Sequence, residues 1–155
     1  MKVSRLVLDT NVLISAIIQP KGKPAAVLAI ALERFAILFS GETFAECATR
    51  IIRPKFDRLV SREARDELVA RLHQDATWVD IDGSLRQVRD PDDDKILETA
   101  VAGGADCLVT GDGDLLALRP VGEQGTATTR DDALYQGVAI VRPAEFLALV
   151  EIPEG

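Results

Sequence analysis

Short apolar runs that alternate with helix-like segments are the feature that most limits what this chain can fold into. Continuous apolar runs at Leu6–Leu8, Ala36–Phe39 and Cys107–Val109 suit strands that are buried on both faces. Helix-like segments lie between them, for example Ala25–Phe35 behind the helix-starting Pro24. Such an alternation is typical of right-handed crossovers and a parallel sheet. We therefore predict an α/β fold with a mostly parallel, roughly five-stranded sheet that helices cover on both faces.

The rest of the chain contains two more strand-like segments and one irregular segment. Strands are predicted at Trp78–Ile81 and Val138–Val141, and a closing helix at Pro143–Val150. Residues Arg119–Gln136 follow neither the helical nor the strand period, and we predict a long, mobile loop there. Loops longer than roughly 12–15 residues are usually functional or disordered. This loop either covers a site, joins an interface or is merely tolerated.

The composition excludes several classes of protein. A chain of 155 residues with 47% hydrophobic and 28% charged residues is expected to form one folded domain over residues 1–155. No apolar run approaches the roughly 20 residues of a membrane span. Cys47 and Cys107 lack the paired spacing of a zinc site. We predict a soluble, cytoplasmic protein without membrane association, in which both thiols are buried.

The charge balance argues against binding of nucleic acid through a general basic coat. The chain has 25 acidic and 18 basic residues, a net charge of −7. Residues Arg50–Arg71 are the exception, with seven basic against four acidic side chains. They form either a solvated helical surface, with ion pairs such as Arg62 with Asp66, or a set of phosphate contacts. The candidates for phosphate contacts are Arg50, Arg53 and Lys55.

Acidic side chains recur where predicted strands end or the following helices begin. Asp9 follows the first strand, and Glu46 lies in the first turn of the helix after the second. Asp93 starts the helix before the fourth strand, and Asp112 follows that strand. The carboxyl ends of parallel strands share one edge of the sheet, so these carboxylates are expected to converge there. Each could instead cap a helix, and Thr43 with Glu46 matches a capping box.

The run Asp90–Asp94 offers four carboxylates in five residues, more than one helix cap needs. Clustered carboxylates repel one another, so they require raised pKa values or compensating cations. Hard divalent ions such as Mg²⁺ or Mn²⁺ suit a site made only of oxygen ligands. His73, the single histidine, lies among charged neighbours and is expected to have a surface or packing role.

Four segments occur in a fixed order along the chain. They are Leu8–Val12, Glu46 with the downstream Arg53–Phe56, Asp90–Lys95 and Leu108–Leu115. Together with the closing Arg142–Leu147, they resemble the PIN-domain family. The resemblance is strongest to the toxins of bacterial and archaeal toxin–antitoxin systems that are related to VapC.

This resemblance implies a three-layer α/β/α fold and a metal-dependent ribonuclease that uses Mg²⁺ or Mn²⁺. Its substrate would be RNA, cut by hydrolysis to leave a 5′-phosphate and a 3′-hydroxyl. A cognate antitoxin and a homodimer are also implied. The matching acids, expected to be both catalytic and metal-binding, are Asp9, Glu46, Asp93 and Asp112, with Asp114 as a further metal ligand. The supporting residues would be Asn11, Thr110 and Asp92.

Two other functions compete with this interpretation. A receiver domain or a haloacid-dehalogenase-type phosphatase also uses aspartates at strand ends with Mg²⁺. However, that phosphatase expects a second aspartate where Asn11 stands, and no receiver-like lysine follows a late strand. A non-catalytic PIN-like binding module would be expected to have lost its acids, whereas every acidic position is filled here.

Overall fold

A six-stranded sheet forms the centre of the computed structural model, which describes residues 1–150. The order of its strands is β3-β2-β1-β4-β6-β5. Neighbouring strands are parallel except β5 and β6, which are antiparallel. The strands are β1 (Arg5–Leu8), β2 (Ala36–Phe39), β3 (Ala76–Trp78), β4 (Cys107–Val109), β5 (Leu134–Tyr135) and β6 (Val138–Val141).

Helices cover both faces of this sheet, which confirms the predicted α/β class and its layers. None of the helices in residues 1–150 has the length and apolar character needed to cross a membrane. A single 3-10 turn, Pro54–Phe56, follows α3. The helices are α1 (Thr10–Ile18), α2 (Lys23–Arg34), α3 (Gly41–Ile51), α4 (Arg62–Asp75), α5 (Pro91–Ala102), α6 (Gly113–Leu116), α7 (Arg130–Ala133) and α8 (Pro143–Leu149).

Two hydrophobic clusters, one on each face, account for the continuous apolar runs of the strands. In β1, Leu6 and Leu8 belong to the cluster shared with α1, α2, α3, α4 and α8. Val7 points the other way, into the cluster shared with α5 and α6. Successive side chains of a strand alternate between faces, so a strand covered on both sides must be apolar at every position.

The third strand lies earlier than the predicted Trp78–Ile81. It forms Ala76–Trp78 directly after α4, at the edge of the sheet. Val79 packs against the cluster that contains α5, and Ile81 lines a cavity beside the same helix. Their apolar character therefore serves packing on α5 rather than strand pairing.

The prediction of a long loop over residues 119–136 is wrong in its second half. This half contains α7 and the sixth strand, β5, which raises the strand count above the roughly five predicted. Strand β5 pairs antiparallel with β6, through Leu134 with Ala139 and Tyr135 with Val138. A pair of residues is too short a strand to show a period in the sequence.

The first half of that segment is anchored by a buried ion pair. The guanidinium of Arg119 donates to Glu145 Oε1 at 2.8 Å and to the carbonyl oxygens of Gly122 and Gly125. The amide of Ala127 donates to the other oxygen of Glu145 at 2.6 Å. Both charged side chains are nearly inaccessible to water. The segment is therefore tied to the start of α8.

Both cysteine thiols are buried and free, as predicted. Burial raises the pKa of Cys47 and of Cys107 to about 12. Because the thiolate is the reactive form, these thiols are inert at neutral pH.

Candidate active site

The four predicted acids meet at the edge of the sheet where the parallel strands end. Asp9 follows β1, and Asp112 follows β4. Glu46 lies on α3, which follows β2, and Asp93 lies in the first turn of α5. Glu46, Asp93 and Asp112 line an open, polar cavity of about 300 Å³, and Asp9 is buried outside its lining, within electrostatic range of all three. The lining residues are Asn11, Glu46, Arg50, Arg53, Asp90, Asp92, Asp93 and Asp112.

Asp9 is held mainly by a side-chain contact. It stands at the N-cap of α1 without a regular cap hydrogen bond, although the nearby Asn11 amide helps to lower its pKa. The hydroxyl of Thr110 donates to Asp9 Oδ2 at 2.7 Å, and Thr110 accepts from the Asp112 amide at 3.0 Å. Burial raises the pKa of Asp9, and the Thr110 hydrogen bond opposes that rise. Thr110 thus links two of the acids.

Glu46 is free of the capping role that its sequence context suggested. The helix α3 begins at Gly41, and its capping box is formed by Ser40 and Thr43. The Ser40 hydroxyl accepts from the Thr43 amide at 3.1 Å, and the Thr43 hydroxyl accepts from the Ser40 amide at 2.9 Å. The predicted position of Glu46 in the first turn is therefore wrong. It lies one turn further on, where its carboxylate lines the cavity.

Arg50 bridges two of the predicted site residues. Its Nη1 donates to Glu46 Oε1 at 3.1 Å, and its Nη2 donates to Asn11 Oδ1 at 2.6 Å. Burial raises the pKa of Glu46, while the hydrogen bond from Arg50 works in the opposite direction. Arg50 is therefore a fixed cation in the cavity wall, and Asn11 supports it.

Two carboxylates of the run Asp90–Asp94 have structural roles. Asp90 caps α5, because its Oδ1 accepts from the Asp92 amide at 2.9 Å. Asp94 is buried and accepts from the amides of Gln87 and Val88 at 2.8 and 2.9 Å. These contacts fix the segment that leads into α5.

Asp93 lines the cavity between those two structural neighbours. Burial raises its pKa, and repulsion from Asp112, Asp9, Asp90 and Glu46 adds to the rise, bringing it to about 7. The acids therefore lie within electrostatic range of one another. Asp92 also lines the cavity, with its Oδ1 4.0 Å from the Lys95 ammonium.

Asp112 combines a cap with a place in the cavity, whereas Asp114 lies outside it. Asp112 Oδ2 accepts from the Leu115 amide at 3.0 Å and so caps α6. Asp114 instead accepts two hydrogen bonds of 3.1 Å from Arg89. The structure does not bring Asp114 to the cavity as the expected further metal ligand, because an ion pair holds it beside the rim.

The chemistry of the cavity fits a hard divalent cation. Its acids offer only oxygen ligands, and Arg50 and Arg53 are too few to balance the surrounding carboxylates. Within residues 1–150, no three acidic, histidine or cysteine side chains stand together as a ready-made ligand group. Repulsion among the carboxylates and the Arg50 contact to Glu46 account for this spread. A divalent cation among these carboxylates would relieve their repulsion.

Metal-free protein is expected to lose stability as the pH rises from about 4 to about 7, because of Asp93. The folded protein keeps the Asp93 proton up to a pKa of about 7, whereas the ordinary pKa is 3.8. Between these values the folded state binds more protons than the unfolded chain, so a rising pH favours unfolding. Urea unfolding in a chelator, followed across this range, measures the effect. Asp93→Asn should flatten the dependence, and an unchanged slope in that variant would contradict the raised pKa.

The basic stretch Arg50–Arg71 divides between the site and the scaffold. Arg53 lines the cavity with Arg50, but Lys55 lies outside it, over the ring of Phe56 at 5.1 Å. Arg65 is buried and donates to the Ile51 and Arg53 carbonyl oxygens. As the alternative interpretation expected, the exposed pair Arg62–Asp66 forms at 2.9 Å. Only the first part of the stretch therefore reaches the site.

His73 has the packing role that was predicted for it. Its ring makes edge-to-face contacts with Phe44 at 5.3 Å and with Trp78 at 5.4 Å. It is exposed on α4 and lies outside the cavity.

Sequence analysis did not single out Arg89, which contacts Asp114 at the rim. Its only signal in the sequence is its position directly before the acidic run. The partner lies 25 residues further along the chain, so only the fold brings the two together.

Comparisons with known proteins agree with this geometry. Residues 5–114 match the family described as "PIN domain", a span that contains all four acids. An uncharacterized protein of Methanocaldococcus jannaschii is 28% identical over 117 residues, which cover 74% of this chain and 75% of that protein. No solved structure matches the chain.

Proposed function

The chain belongs to the PIN domain family, whose members are generally nucleases, and we propose that it is a metal-dependent endoribonuclease. The observation that carries the proposal is that Glu46, Asp93 and Asp112 line one cavity, with the buried Asp9 within electrostatic range of all three. Their mutual repulsion is the condition that a divalent ion relieves. These four side chains would hold Mg²⁺ or Mn²⁺, the ions that family nucleases typically use.

The reaction is in-line hydrolysis of an RNA phosphodiester, with products that carry a 5′-phosphate and a 3′-hydroxyl. Mg²⁺ or Mn²⁺ held by these acids would supply a Lewis acid that activates water and stabilises negative charge on the leaving oxygen. Thr110 orients the Asp9 carboxylate, and Arg50 orients both Glu46 and Asn11. Arg50 and Arg53 supply positive charge to the substrate phosphates within the acidic cavity.

We extend the proposal to the biological role of a toxin in a toxin–antitoxin pair. The ordered motifs from Leu8–Val12 to Leu108–Leu115, which resemble toxins related to VapC, support this role. It implies a cytoplasmic homodimer whose cavity a cognate antitoxin blocks. A small antitoxin gene beside this one would support the assignment, and its absence would count against it.

RNA cleavage by the purified protein tests the proposal. A single-stranded RNA labelled at one end should be cut in the presence of Mg²⁺ or Mn²⁺ and left intact in excess chelator. Cleavage should return when the ion is added back. The downstream fragments should carry a 5′-phosphate, so that they can be ligated without prior phosphorylation.

The competing functions predict other outcomes in the same experiment. Turnover of aryl phosphates, or phosphorylation by acetyl phosphate without RNA cleavage, would identify a phosphotransfer protein. Metal binding without any cleavage would identify a non-catalytic module. The family match favours neither of these.

A further inference from the structure

Arg89 is an exposed cation held in a fixed place beside the acidic cavity. Its side chain is 89% exposed, yet Nε and Nη2 donate to the two oxygens of Asp114 at 3.1 Å each. In the described part of the chain, its Nη1 has no acceptor. One edge of the guanidinium is therefore fixed, and the rest is available to a ligand.

The backbone on both sides of Arg89 is also fixed. The Asp94 carboxylate accepts from the amides of Gln87 and Val88, and the Tyr135 hydroxyl donates to Gln87 Oε1 at 2.7 Å. On the other side, Asp90 caps α5. The segment has no regular secondary structure, but these contacts hold it as a wall next to the cavity.

Stability does not explain the pairing of Arg89 with Asp114. Exposed ion pairs contribute little to folding, because water screens them and two side chains lose freedom. The pair instead fixes the position of a guanidinium on the residue directly before Asp90, which lines a cavity that carries mostly negative charge. A preformed guanidinium with free donors is suited to bind phosphate.

The strand order places cations on both sides of the acids. Arg53 and Glu46 belong to the segment that follows β2, Asp9 follows β1, and Asp112 follows β4. Arg89 is placed on the β4 side, because it is bound to Asp114 of α6, the helix that follows β4. Strands β2 and β4 flank β1 and are therefore about 10 Å apart.

We propose that Arg89 and Arg53 bind backbone phosphates on opposite sides of the scissile bond, so that RNA crosses the cavity along the sheet edge from the β2 side to the β4 side. The inference rests on the proposed nuclease function and specifies the path of the RNA across the cavity. Asp114 is then a positioning residue that holds Arg89, not a metal ligand.

The test compares RNA cleavage by Arg89→Gln with cleavage by a matched control. Arg89→Gln should lower kcat/KM about fivefold, mostly through KM, as expected for the loss of one phosphate contact. In the Asp9→Asn background, the slope of log affinity for labelled RNA against log salt should become shallower by about one. Arg53→Gln should show the same pattern.

Arg71→Gln is the control, because Arg71 is also exposed and bound to an aspartate, Asp75. It lies at the end of α4 where β3 begins, on the edge of the sheet opposite the cavity. Its cleavage kinetics and salt slope should equal those of the unmodified protein. Asp114→Asn should raise KM less than Arg89→Gln does and keep kcat, whereas a metal ligand would lose kcat.

Several results would overturn the inference and leave the proposed function unaffected. Cleavage with an unchanged KM and salt slope in Arg89→Gln would do so, as would a loss confined to kcat. A collapse of kcat in Asp114→Asn would assign that residue to the metal. If the unmodified protein cuts no RNA, the proposed function fails. The RNA-binding experiment tests the inference separately, because a salt slope that Arg89→Gln leaves unchanged would reject it.

Discussion

Asp9→Asn is expected to lower metal-dependent RNA cleavage at least about a thousandfold, while the protein stays folded. Asp9 is buried beside the acids that line the cavity, accepts a hydrogen bond from Thr110, and adds to the repulsion felt by Asp93. An amide in its place keeps the size and can still accept from Thr110, but it removes the charge that would hold a cation. Single-turnover cleavage of labelled RNA in saturating Mg²⁺ measures the loss.

The free energy of unfolding of Asp9→Asn shows whether its loss of cleavage comes from the missing carboxylate or from unfolding of the protein. Because burial raises the pKa of Asp9, ionisation of its carboxyl costs more free energy in the folded state than in the unfolded chain. The neutral variant should therefore be at least as stable as the unmodified protein at pH 7 in a chelator. Retained cleavage in this variant would remove Asp9 from the site.

Asp106→Asn is the matched control at the opposite edge of the sheet. Burial alone would raise the pKa of Asp106, but hydrogen bonds from the Ser4 and Arg5 amides hold it below its usual value. A lowered pKa means stability that is present above the ordinary pKa and lost on acidification. Asp106→Asn should therefore lose stability at pH 7 and keep its rate of cleavage, the reverse of Asp9→Asn.

Glu145→Ala is expected to destabilise the protein by about 3–5 kcal/mol, because it leaves the buried Arg119 guanidinium without its counter-charge. Burial works against ionisation of Glu145. Hydrogen bonds from the Arg142 and Ala127 amides and from Arg119 nevertheless hold its pKa below the usual value. These contacts tie the segment after α6 to α8, so their loss should affect the whole fold. Urea unfolding at pH 7 measures the change.

Two further variants show whether the charge of Glu145 or its shape matters. Glu145→Gln keeps hydrogen-bonding atoms but not the charge, and it should fall between Glu145→Ala and the unmodified protein. Glu123→Gln alters an exposed carboxylate in the same segment and should change stability by less than about 0.5 kcal/mol. Equal stability of Glu145→Ala and Glu123→Gln would refute the anchoring role of the pair.

The central strands could be predicted because their apolar runs reflect burial on two faces. Leu6–Leu8, Ala36–Phe39, Cys107–Val109 and Val138–Val141 all lie within the sheet. The edge of the sheet was less predictable. Strand β3 is largely exposed, and the apolar residues after it pack on α5 instead, so its hydrophobic signal is displaced along the chain.

The position of the acids could be predicted from topology, but their contacts could not. Strand ends of a parallel sheet share an edge, which was enough to bring Asp9 and Asp112 together. The assignment of Ser40 rather than Glu46 to the capping box depends on where α3 begins, and helix ends are poorly defined by sequence. The pair Arg89–Asp114 depends on side chains from two separate loops.

Calorimetric titration of the metal-free protein with Mn²⁺ tests the central claim that these carboxylates form a metal-dependent site. The unmodified protein should bind one or two ions, and binding should release protons near pH 7, since Asp93 has a pKa of about 7. Asp93→Asn should bind far more weakly and without that proton release, while Asp106→Asn should bind as the unmodified protein does. No binding of Mn²⁺ or Mg²⁺ by the unmodified protein, or equal binding by Asp93→Asn, would contradict the claim.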